Sequence, residues 1–248
     1  MRAIALVDLD DTLFQTLRKC PPDVPRDALV PLGFARDGSA SSYATPRQRN
    51  LIAWLSETSW LVPVTARSRD ALERVRIPMD AAVCAHGGMI IGRDGEPDAE
   101  WCAHVAQAAA PHAALLEQLA KDARSAEPSL SVRILSEEDG PRLYLLLKHP
   151  DWDEESLGAA VEAIRQDVPA DWTIHRNGNN AALLPPYLGK HRAVSWLLPR
   201  LRALHPDAPV IGIGDSLTDA PFMAICDFAM MPAASQLSAA ALEPLIRC

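Results

Sequence analysis

The chain has few of the residues that mark several large classes of protein. Its five cysteines are scattered, odd in number and without a Cys-x-x-Cys pair, so the sequence indicates neither a disulfide framework nor a zinc site. Acidic residues outnumber basic ones by 32 to 24, and the resulting net charge of −8 argues against a nucleic-acid partner. The apolar runs are far shorter than the roughly 20 residues that a membrane span needs. With no secretory signal before the first apolar run, we expect a soluble, cytoplasmic protein.

The 248 residues are otherwise ordinary in composition, with 48% hydrophobic and 23% charged residues. Short apolar runs that end abruptly in polar residues are typical of strands buried on both faces of a parallel sheet. Such runs cover residues 3–7, 60–64, 81–85 and 210–213, and helical patterns cover residues 46–58, 69–75 and 191–204. This alternation predicts an α/β fold with a doubly wound parallel sheet, in which ligands bind beyond the carboxyl ends of the strands.

The middle of the chain has a different pattern, which predicts an inserted α+β domain over residues 92–186. A hairpin turns at residues 93–95, and Pro111 must kink or split the helix that follows over residues 99–124. Asp153 is the expected N-cap of a helix over residues 154–167. The predicted strands of this domain cover residues 131–135, 143–148, 172–175 and 181–184, the last two joined at an Asn-Gly turn. Residues 17–45, rich in Pro, Gly and Ser, predict a long, partly ordered loop.

Three acidic residues, Asp8, Asp10 and Asp11, follow the first predicted strand. Carboxylates crowded in this way repel one another, so some of them must hold protons or face a cation. Mg²⁺ suits such a site, because it prefers oxygen ligands and uses only one or two carboxylates beside substrate phosphate. Taken alone, the segment is equally compatible with an Asp-rich turn or a helix cap.

Further polar residues occupy comparable places. Asp215 and Asp219 follow the last apolar run and reach the same cation if that strand lies beside the first. Thr65 follows another strand, where its hydroxyl can donate to a phosphoryl oxygen, and Arg67 can bind a phosphate or a sugar hydroxyl. Lys190 opens a helix in a chain with only four lysines against 20 arginines, which favours a compact point charge there. Each of these alone also fits a turn, a cap or a surface position.

Together, four segments resemble the motifs of the haloacid dehalogenase superfamily: Asp8-x-Asp10-x-Thr12, Thr65, Lys190 and Gly214-Asp215-Ser216-x-x-Asp219. The insertion between the second and third motifs resembles the cap of sugar-phosphate phosphatases. These include the Cof-type, sucrose-phosphate, trehalose-phosphate and mannosyl-3-phosphoglycerate phosphatase groups. The resemblance implies a catalytic core formed by residues 1–91 and 187–248, and a cap over residues 92–186 that determines substrate specificity.

The resemblance also implies a role for each matching residue. Asp8 would be the nucleophile that forms an aspartyl-phosphate, and Asp10 would protonate the leaving alcohol and then activate water. Mg²⁺ would be held by the Asp8 carboxylate, the Asp10 backbone carbonyl and Asp215. Thr65 and Lys190 would neutralise the charge on the transferring oxygens. The residues expected to support these groups are Asp219, Ser216 and Thr12.

The expected function is therefore that of a Mg²⁺-dependent phosphomonoesterase acting on a small phosphorylated metabolite, either a sugar phosphate or a phosphorylated glycoside. The alternatives are a phosphomutase, which returns the phosphoryl group to its substrate, and a weakly active phosphate-binding regulatory protein. Candidate substrate contacts are Arg67 and, in a hairpin of the inserted domain, Arg176 and Asn177. Two departures leave the subfamily open: Asp11 stands where many cap-bearing relatives have Gly, and Thr218 where Asn is common.

Overall fold

The computed structural model describes residues 2–137 and 140–246, with only the backbone described for residue 177 and residues 243–246. It divides into two compact units, one formed by Met1–Asp98 with Lys190–Cys248 and the other by Ala99–Gly189. A bridge between Ile91 and Pro97 ties the segment after position 92 to the first unit, so the second unit begins later than the sequence indicated.

The elements of both units alternate along the chain. Up to residue 98 they are β1 (Ala3–Val7), β2 (Val30–Phe34), β3 (Ala40–Ala44), α1 (Pro46–Thr58), β4 (Ser59–Pro63), α2 (Arg69–Leu72), β5 (Ala82–Cys84) and β6 (Met89–Ile91). The second unit contains α3 (Ala99–Ala109), α4 (Ala113–Ala126), β7 (Ser131–Ser136), β8 (Arg142–Lys148), α5 (Glu154–Ile164), β9 (Thr173–Asn177) and β10 (Asn180–Leu184). The chain then returns through α6 (Lys190–Leu204), β11 (Val210–Ile213), α7 (Ala220–Met223), β12 (Phe228–Met230) and α8 (Gln236–Ile246).

The first unit is built on a parallel sheet with the strand order β12-β11-β1-β4. Val7, the last residue of β1, pairs with Ile213 on one side and with Pro63 on the other. Residues Ile4 to Val7 are fully buried, which confirms the prediction of a strand covered on both faces. The residues that follow β1, β4 and β11 therefore meet at one edge of the sheet, where ligands of such folds bind.

In the first unit, one predicted strand differs in the structure and one observed strand was not predicted. The run over residues 81–85 forms the short strand β5, which pairs antiparallel with β6 and joins β4 through a single parallel bridge between Val64 and Val83. Strand β12 was not predicted. It is a three-residue strand at the edge of the sheet, and its Phe228 is 63% exposed.

Residues 17–45 do not form the long loop that their composition predicts. Strands β2 and β3 pair into an antiparallel hairpin, preceded by two short 3₁₀ turns. The backbones of Gln15 and Tyr43 exchange two hydrogen bonds, and the amide of Arg76 donates to the carbonyl of Leu32 at 2.8 Å. Pairing with distant segments, which composition does not reveal, makes this region regular. The helix α2 ends at Leu72, and beyond it the carbonyl of Arg74 and the amide of Arg76 bond to the hairpin.

The second unit is an antiparallel sheet with the order β7-β8-β10-β9, covered by α4 and α5. The predicted effect of Pro111 is confirmed: α3 ends at Ala109, a 3₁₀ turn follows, and α4 begins at Ala113. The predicted cap is confirmed as well. Asp153 Oδ1 accepts hydrogen bonds from the amides of Glu155 and Ser156, at 3.0 and 2.9 Å.

Leucines from both layers form the core of this second unit. Leu116 and Leu119 of α4, Leu157 of α5 and Leu145 and Leu147 of β8 are fully buried against one another. Sheet and helices thus bury their apolar faces jointly. Within the described part of the chain, none of the helices combines the length and the apolar character needed to cross a membrane.

This packing predicts the effect of truncating a core leucine. We expect Leu145→Ala to lower the free energy of unfolding by about 2–5 kcal/mol, because the lost methyl groups leave a cavity. The matched control is Leu204→Ala, since Leu204 is 71% exposed and should change stability by less than about 0.5 kcal/mol. Urea denaturation followed by tryptophan fluorescence measures both, and equal effects would contradict the described core.

Candidate active site

A buried lysine joins carboxylates from the two ends of the chain. Lys190 Nζ, at the start of α6, donates to Asp8 Oδ1 at 2.5 Å and to Asp219 Oδ1 at 2.6 Å. The side chains of Lys190 and Asp8 are each 7% exposed, and that of Asp219 is fully buried. Burial lowers the pKa of Lys190, but the two carboxylates outweigh this effect and raise it. The lysine is therefore a permanent positive charge and not a proton acceptor.

Asp219 is fixed by its own loop. The amide and hydroxyl of Ser216 donate to Asp219 Oδ2 at 3.0 and 2.7 Å, which leaves Oδ1 for Lys190. The chain passes so close that a Cβ on Gly214 would lie 2.5 Å from Asp219 Cβ. Only glycine fits at this position. The close packing of Asp219 against the end of the strand therefore explains the glycine of the Gly-Asp-Ser motif.

Asp8, Asp215 and Asp219 together form a cluster in which one oxygen from each lies within 4.8 Å of the others. Thr12 Oγ1 is 3.2 Å from both Asp8 Oδ2 and Asp215 Oδ1, and its single proton bonds to one of them at a time. Three carboxylates thus share this site with one ammonium group. The sequence-predicted residues Asp8, Thr12, Lys190, Asp215, Ser216 and Asp219 are all brought together here.

Two carboxyl groups of the cluster, those of Asp8 and Asp215, have raised pKa values. Burial raises the pKa of Asp8 to about 8 against the opposing effect of Lys190, and the charge of Asp219 raises it further. Burial, followed by the charges of Asp219 and Asp11, raises the pKa of Asp215 to about 6. A cation beside these oxygens would restore the ionised form of both groups. Their oxygen donors are the kind that a hard divalent ion prefers, so the residues present fit a divalent metal.

Thr65 is fully buried and lies one residue beyond the bridge that extends β4. Its Oγ1 accepts a hydrogen bond from the amide of Arg67 at 3.1 Å.

A left-handed turn after β5 is hydrogen-bonded to this segment. Ala85 and His86 have φ values of 51° and 55°, a conformation that costs non-glycine residues about 1–3 kcal/mol each. Their amides donate to the carbonyls of Arg67 and Thr65, at 2.6 and 3.2 Å. His86, which the sequence did not assign, thus holds the Thr65 loop through its backbone.

Asp10 and Arg67 form an ion pair that the sequence did not predict. Arg67 Nε and Nη2 lie 2.8 and 2.7 Å from the two carboxylate oxygens of Asp10. Arg67 was predicted as a substrate contact, but in the structure its guanidinium contacts this carboxylate. The two residues are 57 positions apart, and no local pattern links them.

Asp11, the residue that departs from the glycine common in relatives, has a φ of 63°. This left-handed conformation explains why glycine is common at the position, and aspartate is among the few other residues that adopt it readily. Lys19 Nζ donates to Asp11 Oδ2 at 2.5 Å and so ties the first 3₁₀ turn to the strand exit. The sequence did contain a signal for this conformation, because Asp11 occupies a position where many cap-bearing relatives have glycine.

The two remaining candidates belong to the second unit. Arg176, in β9, donates from Nη2 to the carbonyl of Glu154 at 3.1 Å and lies over Gly158 of α5. The side chain of Asn177 lies outside the described residues. The hairpin turn predicted between β9 and β10 is present, and Asn179 within it is fully buried and bonded to the carbonyl of His149.

Comparison with known proteins supports the architecture. No model of a protein family matches the chain, and no curated protein does. Solved structures do match, among them the C-terminal domain of C. albicans trehalose-6-phosphate phosphatase, with a TM-score of 0.58, 15% identity and coverage of 89% of this chain and 72% of that chain. The sucrose-phosphatase of Synechocystis sp., solved with sucrose and phosphate, matches with a TM-score of 0.54, 17% identity and coverage of 100% and 98%. The two structures share the fold of this chain, so the predicted α/β fold with a parallel sheet and an inserted α+β unit is confirmed.

The close packing at Gly214 predicts a specific coupling. We expect Gly214→Ala to lower stability by about 1–3 kcal/mol, because the new methyl group overlaps Asp219. In an Asp219→Gly background the same substitution should cost much less, since the overlapping atoms are gone. Thermal denaturation of the two single variants and the double variant measures this coupling, and additive losses would show that Asp219 does not impose the glycine.

The raised pKa values of Asp8 and Asp215 predict how pH and a divalent ion affect stability. A carboxyl whose pKa is higher in the folded than in the unfolded protein destabilises the fold as pH rises from about 4 to the folded pKa. Without metal, the cluster should therefore lose stability between pH 4 and 8, and millimolar Mg²⁺ should raise the melting temperature more at pH 8 than at pH 5. Asp215→Asn should raise the metal-free melting temperature at pH 8 and weaken the Mg²⁺ effect. Asp207→Asn, at an exposed site, is the control, and an identical response in both variants would contradict the assignment.

Proposed function

We propose that this protein is a Mg²⁺-dependent phosphomonoesterase that acts on a small phosphorylated sugar or glycoside through an aspartyl-phosphate intermediate. The observation that carries the proposal is the Lys190 bridge between Asp8 and Asp219, with Asp215 in the same cluster. A carboxylate nucleophile, a fixed ammonium group and further carboxylates for a metal are what phosphoryl transfer to an aspartate requires. The cluster lies at the sheet edge where ligands of α/β folds bind.

In the first step, an Asp8 carboxylate oxygen forms a bond to phosphorus while the bond from phosphorus to the alcohol oxygen breaks. Asp10 supplies a proton to that leaving oxygen and becomes a carboxylate. Lys190, whose ammonium is already held against Asp8, offsets the charge of the phosphoryl oxygens. Thr65, buried at the end of the neighbouring strand, would donate its hydroxyl proton to one of them.

In the second step, Asp10 takes a proton from water, the water oxygen bonds to phosphorus, and the Asp8–phosphorus bond breaks. Free phosphate leaves and both carboxyl groups return to their starting states. The Asp8 carboxylate, the Asp10 backbone carbonyl and Asp215 would hold Mg²⁺, which supplies positive charge to the phosphoryl oxygens when bound. Asp219 would keep Lys190 oriented, as its hydrogen bonds to Lys190 and Ser216 indicate.

The substrate class rests on the two similar structures, described as a trehalose-6-phosphate phosphatase and as a sucrose-phosphatase in complex with sucrose and phosphate. Both descriptions associate a disaccharide with phosphate. We therefore propose a sugar phosphate or a phosphorylated glycoside, with Ala99–Gly189 as the cap that selects it. Arg176 and Asn177 remain candidate substrate contacts within that unit.

The direct test is phosphate release from a panel of phosphorylated sugars and glycosides, with Mg²⁺ and with chelator. We expect Mg²⁺-dependent release by the native protein and a loss of at least about 10³-fold in Asp8→Asn, because the amide cannot act as the nucleophile. Circular dichroism of Asp8→Asn shows whether the fold is retained.

Two results would overturn this function. Undiminished turnover by a folded Asp8→Asn variant would exclude the aspartyl-phosphate route. A reaction that needs an activating bisphosphate and returns the phosphoryl group to the sugar would identify a phosphomutase instead.

Release of phosphate from one sugar phosphate far faster than from the others would identify the substrate.

A further inference from the structure

The guanidinium of Arg67 is held in a geometry that fixes the plane of a carboxylate. It donates two parallel hydrogen bonds to the two oxygens of Asp10. This fork of two hydrogen bonds restricts rotation of the carboxylate, whereas one hydrogen bond alone would allow it. The Arg67 side chain is 16% exposed and that of Asp10 is 40% exposed. The arginine is thus the inner partner, and the carboxylate is the one presented to solvent at the strand exit.

The hairpin formed by β2 and β3 builds a wall against this arginine. Ser42 of β3 is buried, and its Oγ accepts a hydrogen bond from Arg67 Nη2 at 3.0 Å. On β2, a Cβ at Gly33 would lie 3.0 Å from Ser42 Cβ and 3.4 Å from Arg67 Nη1, so the absence of a side chain there leaves room for the guanidinium. The ring of Phe14 lies 5.1 Å from Arg67 Cζ.

The backbone of Arg67 is fixed as firmly as its side chain. Its amide donates to Thr65 Oγ1 at 3.1 Å, and its carbonyl accepts from the amide of Ala85 at 2.6 Å, within the left-handed turn. The hairpin is itself bonded to residues 74–76. The backbone amide and carbonyl of Arg67 and its side-chain Nε and Nη2 therefore all have hydrogen-bond partners in the first unit.

We propose that Arg67 is a positioning residue that orients the general acid–base Asp10 toward the leaving-group oxygen, and that the β2–β3 hairpin holds it through Ser42. This inference rests on the proposed phosphatase function and replaces the substrate contact that the sequence suggested for Arg67. A lysine would retain the charge but not the fork, because an ammonium group is a point donor. Orientation, and not charge alone, is thus the property to test.

The experiment compares two phosphate esters that differ in their need for a proton. p-Nitrophenyl phosphate releases a stable phenolate, whereas glycerol 2-phosphate releases an alkoxide that must be protonated. The ratio kcat/KM reports the steps up to formation of the aspartyl-phosphate, in which Asp10 acts as the acid. We expect Arg67→Met to lower kcat/KM about tenfold or more for glycerol 2-phosphate and less than about threefold for p-nitrophenyl phosphate.

Three further variants sharpen the comparison. Arg67→Lys should resemble Arg67→Met, and Ser42→Ala should show a smaller loss with the same preference for the alkyl ester. Arg67→Met should add little in an Asp10→Asn background, since a positioning residue has no effect once its target is removed. Arg69→Met is the matched control, because Arg69 lies two positions away and pairs with the exposed Glu73. Its kcat/KM should be unchanged for both esters.

Equal losses for the two esters, additive with Asp10→Asn, would overturn the proposal and indicate that Arg67 contacts the substrate. A merely structural role would lower the melting temperature and reduce both activities in parallel. Failure of the proposed function looks different, because the native protein would then release phosphate from neither ester. Turnover of both esters by the native protein separates the two questions before any variant is measured.

Discussion

One balance of charge governs the site: three buried or half-buried carboxylates surround a single buried ammonium group. Lys190 contacts Asp8 and Asp219, yet the pKa of Asp8 is still raised to about 8 by burial. A stable metal-free fold does not need so much negative charge in one place. A divalent cation beside these oxygens would offset that charge. The electrostatics thus favour a metal site at the place that the motifs indicate.

The surrounding backbone is built to keep these charges where they are. The absence of a side chain at Gly214 lets Asp219 pack directly beneath the end of β11. The left-handed residues Ala85 and His86 hold the Thr65 loop through two hydrogen bonds that their backbone amides donate. Asp11 adopts a similar conformation beside the nucleophile. Strained backbone of this kind persists only where neighbouring structure imposes it, and in the first unit it gathers around the strand exits. The fold therefore places its local strain where side-chain positions matter most.

The similar structures and the site contribute different kinds of information. At 15% and 17% identity, the C. albicans and Synechocystis proteins establish a shared architecture. Identity at this level supports only a proposal for the substrate class and does not identify the substrate, because function depends on the side chains placed on the fold. The proposal of a phosphatase rests instead on Lys190 and its carboxylate partners in this chain. The Arg67 fork adds a feature of the site that the fold comparison alone would not reveal.

Local patterns in the sequence were enough to predict the central elements and the polar residues at their ends. Strands β1 and β11 and helix α1 were predicted residue for residue, because buried strands and capped helices leave local signals. Asp8 and Asp215 were identified as polar residues that follow apolar runs, and Lys190 as a rare lysine at the start of a helix. The hairpin over residues 30–44 and the pairing of Arg67 with Asp10 are visible only in three dimensions. Both depend on contacts between segments far apart in the chain, whose energies are set by packing and hydrogen bonding and leave no periodic trace in the sequence.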